Sequence, residues 1–273
     1  MDFKNKTVFI TGASRGIGKA IGLRLAREGA RIVIASKSTA EDPRLGGTIY
    51  SAAAEMKAAG GEGLAIQMDI RYEEQIQEAV QRAVAHFGGI DILVNNASAI
   101  HLATTEDTPA KKFDLIHDIN VRGTFLMTKA CVPYLKKSSN AHILTLSPPL
   151  NLNHKWFSKH LSYTLSKYNM SMMTLGWSEE YREAGIAANS LWPATTIDTA
   201  AVRNLLGGAT LAGMSRKPEI VADAAGYIFR KPAAACTGNL FTDVEVLAAE
   251  GITDLTSYSV IPGARLYPDI FLG

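Results

Sequence analysis

The sequence predicts an α/β fold: a doubly wound parallel sheet in the order 3-2-1-4-5-6 plus an edge strand, with helices on both faces. Two observations predict it. Short apolar runs of strand length alternate with longer segments of helical periodicity through most of the 273 residues, the pattern of strand–helix–strand units joined by right-handed crossovers. The first unit turns over Gly12, Gly16 and Gly18 in the stretch Ile10-Thr11-Gly12-Ala13-Ser14-Arg15-Gly16-Ile17-Gly18, and ligands of such sheets sit at the carboxyl ends of the strands, where the winding reverses.

Each element follows in order. Residues 7–10 are a β-rich apolar run with the character of a strand buried on both faces, and Ala20, Ile21, Leu23, Leu25 and Ala26 then recur at helical spacing. Residues 31–35 form the second strand, and a polar stretch from 36 to 48 is broken by Pro43 and Gly46-Gly47. A helix over 49–59 ends on Gly60-Gly61, and 63–68 is the third strand. Residues 72–87 read as an amphipathic helix closed by Gly88-Gly89, and 90–94 as the fourth strand. A long helix within 109–135 keeps its period through Phe113, Ile116, Ile119, Phe125, Leu126 and Ala130, with a kink or early stop at Pro133. Strands at 141–146, 186–192 and 239–244 alternate with helices at 161–184 and 218–230. No repeat or linker divides the chain, so residues 1–273 read as a single domain.

Composition narrows the function. Apolar residues at 47% and charged residues at 20% suit a globular protein with a large core. A net charge of +2 argues for neither nucleic acid nor membrane partners. No run is long and apolar enough for a membrane span, and no leader or C-terminal peroxisomal tripeptide is visible, so an intracellular, cytoplasmic protein is expected. Cys131 and Cys236 read as buried free thiols, and the six histidines show no metal-ligand spacing. No metal is expected.

The chemistry gathers at the strand ends. In the first turn Gly12 allows the tight bend, Gly16 lets backbone approach a ligand, and Gly18 lets helix and strand pack closely. The helix N-terminus then offers free amides and a positive dipole end to a pyrophosphate. After the second strand, Ser36 stands where an acid would bond ribose hydroxyls, and Lys37 follows. With Arg15 nearby, this favours a 2′-phosphate and hence NADP over NAD. Asp69-Ile70 is placed to meet the adenine edge, and Asn95-Asn96 to brace the crevice.

Tyr163 and Lys167 lie one helical turn apart, so the ammonium can sit beside the phenol. Ionising a tyrosine near neutrality takes a shift of ~3 units from ~10, or ~4 kcal/mol. Two unit charges ~4 Å apart at an effective dielectric of ~20 interact by about that much. Lysine is thus of the right size to tune Tyr163 as a general acid/base. An isolated Tyr-x-x-x-Lys is weak; behind this glycine turn it is specific.

Taken together, TGASRGIG, Asp69, NNAS, Asn120 in Asp118-Ile119-Asn120-Val121, and YTLSK resemble the short-chain dehydrogenase/reductase family over nearly the whole chain, a Rossmann-type fold. The insert ending in Gly47-Thr48-Ile49-Tyr50, the stretch Ser147-Pro148-Pro149-Leu150-Asn151 and Glu250-Gly251-Ile252 are similar to its hydroxysteroid dehydrogenase-like branch, whose longer members carry a further sterol-carrier-type domain. The resemblance implies a cofactor cradle at Gly12, Ser14, Arg15, Ile17 and Gly18, to which the strand-end reading adds Gly16, Lys37, Asp69 and Asn96 as cofactor contacts, with Thr195 at the nicotinamide. It implies Tyr163 as proton donor and acceptor, Lys167 as ribose anchor and pKa modulator, and Asn120 as holder of a relay water. It also implies a homodimer or homotetramer.

The sequence departs from that pattern in three places. Ser98 stands where glycine is usual, and Pro193-Ala194 replaces a proline-glycine, leaving Thr195-Thr196-Ile197 to meet the nicotinamide amide. The carbonyl-polarising serine aligns with Pro148, which has neither hydroxyl nor N–H. Ser147, Asn151, Asn153 or no second donor are the alternatives. The expected function is an NADP(H)-dependent oxidoreductase interconverting a secondary alcohol and a ketone. Residues 194–217, with Val202, Leu205, Leu206, Leu211 and Met214, would cover the site, and with Trp156 and Phe157 they lean toward an apolar acyl or steroid-like substrate. The rival is a nucleotide- and lipid-binding protein with little turnover.

Overall fold

The computed structural model describes residues 2–272. Its strands are β1 (Thr7–Thr11), β2 (Arg31–Ser36), β3 (Glu62–Gln67), β4 (Ile92–Asn95), β5 (Ala141–Thr145), β6 (Ile186–Trp192) and β7 (Leu240–Thr242). All pair in parallel in the order β3-β2-β1-β4-β5-β6-β7, the expected doubly wound sheet with an added edge strand. The winding reverses between β1 and β4, which places the β1 turn at the crevice.

Alternation along β1 builds both faces. Val8 and Ile10 enter a core layer with Ile32, Ile34 and Val94; Phe9 enters the opposite layer with Val33 and Leu93. The first layer is covered by α1 (Gly16–Ala26) and α8 (Glu219–Arg230), through Ile21, Leu25, Ile220 and Val221. The second is covered by α3 (Glu73–Phe87) and α5 (Thr124–Leu135), through Ile76, Val80, Met127 and Cys131. Cys131 and Cys236 are buried and free.

Several elements differ from the sequence expectation. The long helix of 109–135 is α4 (Ala110–His117), a wider π turn Asp118–Gly123, then α5, which runs past Pro133 and ends at Leu135. At Gly123 a Cβ would crowd Ile70, so the segment approaches its neighbour closely there. The helix α6 (Leu161–Glu180) ends before 184. The last strand is short because Thr242 leaves it to cap α9 (Asp243–Ala249), accepting from the Glu245 amide while Glu245 bonds back to the Thr242 amide. The covering segment after β6 folds into a π turn, Val202–Leu206, and α7 (Gly208–Gly213). There Val202 is buried and Leu206 exposed, and the side chain of Leu205 lies outside the described residues. α2 (Ile49–Ala58) is capped by Thr48, the last residue of the insert. Among the described residues no helix is long and apolar enough to cross a membrane, and no cluster of His, Cys, Asp or Glu could hold a metal ion.

Candidate active site

The β1–α1 turn is a backbone site. Gly12 and Gly16 take φ of +69° and +58°, which side chains other than hydrogen rarely adopt. A Cβ on Gly18 would run into the Asn96 amide. That amide cannot move aside easily, because its NH₂ donates to the carbonyls of Thr11 at 2.9 Å and Gly12 at 3.1 Å. Thr11 Oγ1 in turn accepts from the amides of Asn96 and Ala97. Asn96 therefore braces the turn, and its NH₂ is fully engaged within the protein. α1 starts at Gly16 with no side-chain cap, which leaves its first amides for an anion. The turn fits a pyrophosphate.

Around it the predicted polar residues take distinct places. Arg15 is half-buried and donates to the carbonyls of Gly46 and Gly47 at 2.8 and 3.0 Å, so it ties the insert down over the turn. Lys37 is exposed just beyond β2, whereas Ser36 Oγ accepts from the Ser38 amide. Asp69 is gripped by Arg71 at 2.6 Å, which holds its carboxyl below the usual range, and the Asp69 amide donates to Gln75. Ser14, Arg15, Gly16 and Thr199 line a cavity of about 320 Å³ that also touches Arg203.

The catalytic end is built from buried side chains. Tyr163 and Lys167 share one face of α6 and are only 4% and 3% exposed. The Lys167 ammonium donates to the Leu146 carbonyl at 2.9 Å and lies 5.3 Å from the Trp192 ring centroid. Burial pushes the Tyr163 phenol well above its ordinary value and pulls Lys167 down to about 7. The Tyr-x-x-x-Lys spacing predicts a lysine that pulls the phenol down; here desolvation of both charged forms outweighs that attraction. Asn120, fully buried in the π turn, accepts from the Ala99 amide and donates to the Ala99 carbonyl and to Ser166 Oγ. It thus joins the loop after β4 to the residue before Lys167.

Of the candidates for a second carbonyl donor, Ser147 is fully buried and its hydroxyl has no protein partner. Asn151 donates to the Phe271 carbonyl, and Asn153 is exposed, its side chain accepting from the Lys155 amide. Of the three, Ser147 is the one fully buried donor without a protein partner. Thr195 is buried with a hydroxyl that also lacks a partner, as an acceptor or donor for a cofactor amide requires.

One segment brings to the candidate site residues that sequence reasoning missed. Residues 267–271 return to the carboxyl end of β6 and pair antiparallel with the residues that follow it: Thr196 donates to the Tyr267 carbonyl, and the Asp269 amide to Ala194. Trp192 Nε1 donates to the Ile270 carbonyl. Phe271, fully buried, stacks on Tyr163 at a centroid distance of 6.3 Å and packs against Trp156, His160, Tyr168 and Trp192. Asp243, also buried, accepts from the Ala194 and Val244 amides. No periodicity or motif in residues 260–273 announces this return.

A family model for short chain dehydrogenases matches residues 6–207. The chain belongs to that family. Hydroxysteroid dehydrogenase-like protein 2 of Bos taurus and of Homo sapiens are 57% and 55% identical to it over 266 residues, 97% of this chain. The chain spans 63% of the length of these curated relatives. A Xanthomonas campestris structure assigned as a dehydrogenase shares 52% identity at a TM-score of 0.96, each chain covered completely. A short chain dehydrogenase from Mycobacterium thermoresistibile shares 48% at 0.94, with 99% of this chain and 96% of that chain covered. The NADH-dependent reductase A1-R′, solved with NAD, is 26% identical at 0.70 over 88% of this chain and 95% of its own. Members of the family are oxidoreductases that use a nicotinamide nucleotide, and the glycine turn after β1 and Lys167, held to the carbonyl that follows β5, both lie at the carboxyl edge of the sheet.

Proposed function

We propose that this chain is an NADP(H)-dependent oxidoreductase interconverting a secondary alcohol and a ketone on an apolar substrate. The observation that carries this reading is the buried Tyr163–Lys167 pair, held against the Leu146 carbonyl at the end of β5. A bound nicotinamide would accept or supply the hydride. The chain's own part is the proton. Tyr163 passes it to or from the substrate oxygen, and Lys167 holds the cofactor ribose and favours the phenolate. Ser147 gives the oxygen a second hydrogen bond as its charge develops. Gly12, Ser14, Gly16, Ile17, Gly18, Asp69, Asn96 and Thr195 shape the cofactor cradle.

Lys37 carries the NADP preference, since Arg15 is partly drawn into the insert. The aromatic surroundings of Tyr163, with Trp156, Phe157, Tyr168 and Trp192, support an apolar substrate of the acyl or steroid class. The name of the vertebrate relatives leans the same way. Exposed Phe113, Phe125, Leu165 and Met172 on α4, α5 and α6 support burial against a second copy, in a homodimer or homotetramer. Small molecules are the proposed partners, with no nucleic acid and no membrane insertion.

NADPH oxidation across a panel of acyl and cyclic ketones tests the reading. Turnover that falls at least threefold in Ser147→Ala and stays level in Asn151→Ala and Asn153→Ala is expected, given the few kcal/mol a second oxyanion donor supplies. Tight NADPH binding with no turnover on any ketone would favour the weakly catalytic lipid binder instead.

A further inference from the structure

Lys167 is a buried ammonium with an incomplete shell. It has three N–H donors, one protein acceptor at Leu146, and no carboxylate within ion-pair distance among the described residues. A charge placed there needs an opposite charge close by or it neutralises. The returning C-terminal segment brings one. Its Asp269 is fixed by its own amide to Ala194, and the next two residues each meet the catalytic pair's surroundings. Ile270 accepts from Trp192, whose ring lies beside the Lys167 ammonium, and Phe271 stacks on Tyr163. Asp269 is half-buried; one carboxylate oxygen accepts from the Ile270 amide at 2.7 Å, and no protein donor within the described residues reaches the other.

We propose that Asp269 is the counter-charge of Lys167, a positioning residue that keeps the lysine in its ammonium form while the cleft is dry. This rests on the oxidoreductase reading, in which that ammonium holds the cofactor ribose. The charged and titratable groups facing Asp269 are Lys167 and Tyr163 from α6 and Asp243 from the start of α9, with Arg216 acting on Asp243. His160 lies beyond, against Phe271. The segment 194–196 adds no titratable side chain. Asp269 raises the proton affinity of Lys167, and Lys167 lowers that of Asp269 against burial and the Asp243 charge, which hold it at about 7. Each group therefore favours the charged form of the other, and removing the Asp269 charge lowers the proton affinity of Lys167 further.

Asp269→Asn preserves the acceptor for the Ile270 amide and removes only the charge. NADP⁺ affinity of the whole protein, followed by tryptophan fluorescence from acid to alkaline pH, is the readout, and it needs no substrate. The alkaline loss of affinity should begin about one pH unit earlier in Asp269→Asn, roughly the effect of one opposite charge several ångströms away. Asp269→Glu should follow the unaltered protein. Asp269→Ser, which also keeps an acceptor, replaces the Asn variant if that one does not fold. Superimposable curves for the charged and uncharged variants would overturn the proposal while leaving the oxidoreductase reading intact. Failure of the unaltered protein to bind either NADP⁺ or NAD⁺ would remove that reading and this proposal with it.

Discussion

The glycine-turn end of the candidate site is built from backbone, and the Tyr163–Lys167 end from buried side chains. At the β1–α1 turn, left-handed glycines and an uncapped helix present amide donors, and no deeply buried ionisable side chain contributes. At the β5–α6 end, Tyr163, Lys167 and Asp243 are nearly or fully buried, and Asp269 stands beside them. The first arrangement is stable whether or not a ligand is bound, because amides and dipoles carry no net charge to desolvate. The second holds groups away from their preferred ionisation and costs stability for the sake of chemistry.

The largest expected effect separates the two ends outright. Tyr163→Phe should cut turnover at least ~100-fold while nucleotide affinity stays within about threefold, since only the ionisable oxygen is removed. A variant that kept a tenth of the rate would place the proton elsewhere.

Next is the cost of the buried lysine. Lys167 falls from 10.5 to about 7 on folding. The folded protein therefore binds fewer protons than the unfolded chain between those values, so this penalty is full below about pH 7 and fades as pH rises toward 10.5. Lys167→Met should be inactive yet more stable by a few kcal/mol at neutral pH, and the alkaline gain of the unaltered protein should vanish. Urea titrations at neutral and alkaline pH measure both; an equally destabilised variant at every pH would show the lysine to be a structural anchor.

Gly18→Ala strikes the other end. Its methyl meets an Asn96 amide locked by two hydrogen bonds, an overpacking that costs ~1–3 kcal/mol. Weakened nucleotide binding with unchanged pH dependence is the expected result in isothermal titration. Smallest is Lys37→Asp, expected to shift the NADP/NAD preference by about tenfold, or ~1.4 kcal/mol, because the site is exposed and screened. Equal dissociation constants before and after the change would move the discrimination to Arg15 and the insert.

The same contrast decides what could be read from the chain. The glycine turn, the strand alternation and Tyr163–Lys167 are local patterns: periods of two and three to four residues, and a turn whose glycines lie close in sequence. They foretold the sheet order and the placing of the glycine turn and of Tyr163 and Lys167 on one helix face. The side-chain partners of Asn96 and Arg15 were not legible, because each is set by a segment distant in sequence. Nor was the π turn around Asn120, which keeps helical periodicity on both sides and changes only the local pitch. Asp269 and Phe271 lay furthest from reach. They enter the site by pairing with 194–196, a non-local bridge between short segments with no repeating pattern.

The Arg15 contact has a thermodynamic consequence. One guanidinium on the phosphate-facing turn fastens the carbonyls of Gly46 and Gly47, while Asn204 from the covering segment donates to the Arg44 carbonyl of the same insert. The insert is thus a shared boundary condition: its order is linked to the turn on one side and to the cover on the other. By reciprocity, whatever free energy the nucleotide contributes to ordering residues 42–47 is returned as tighter binding when the cover orders them first. Under the proposed function, affinity for the cofactor and closure over the substrate would be two readings of one equilibrium.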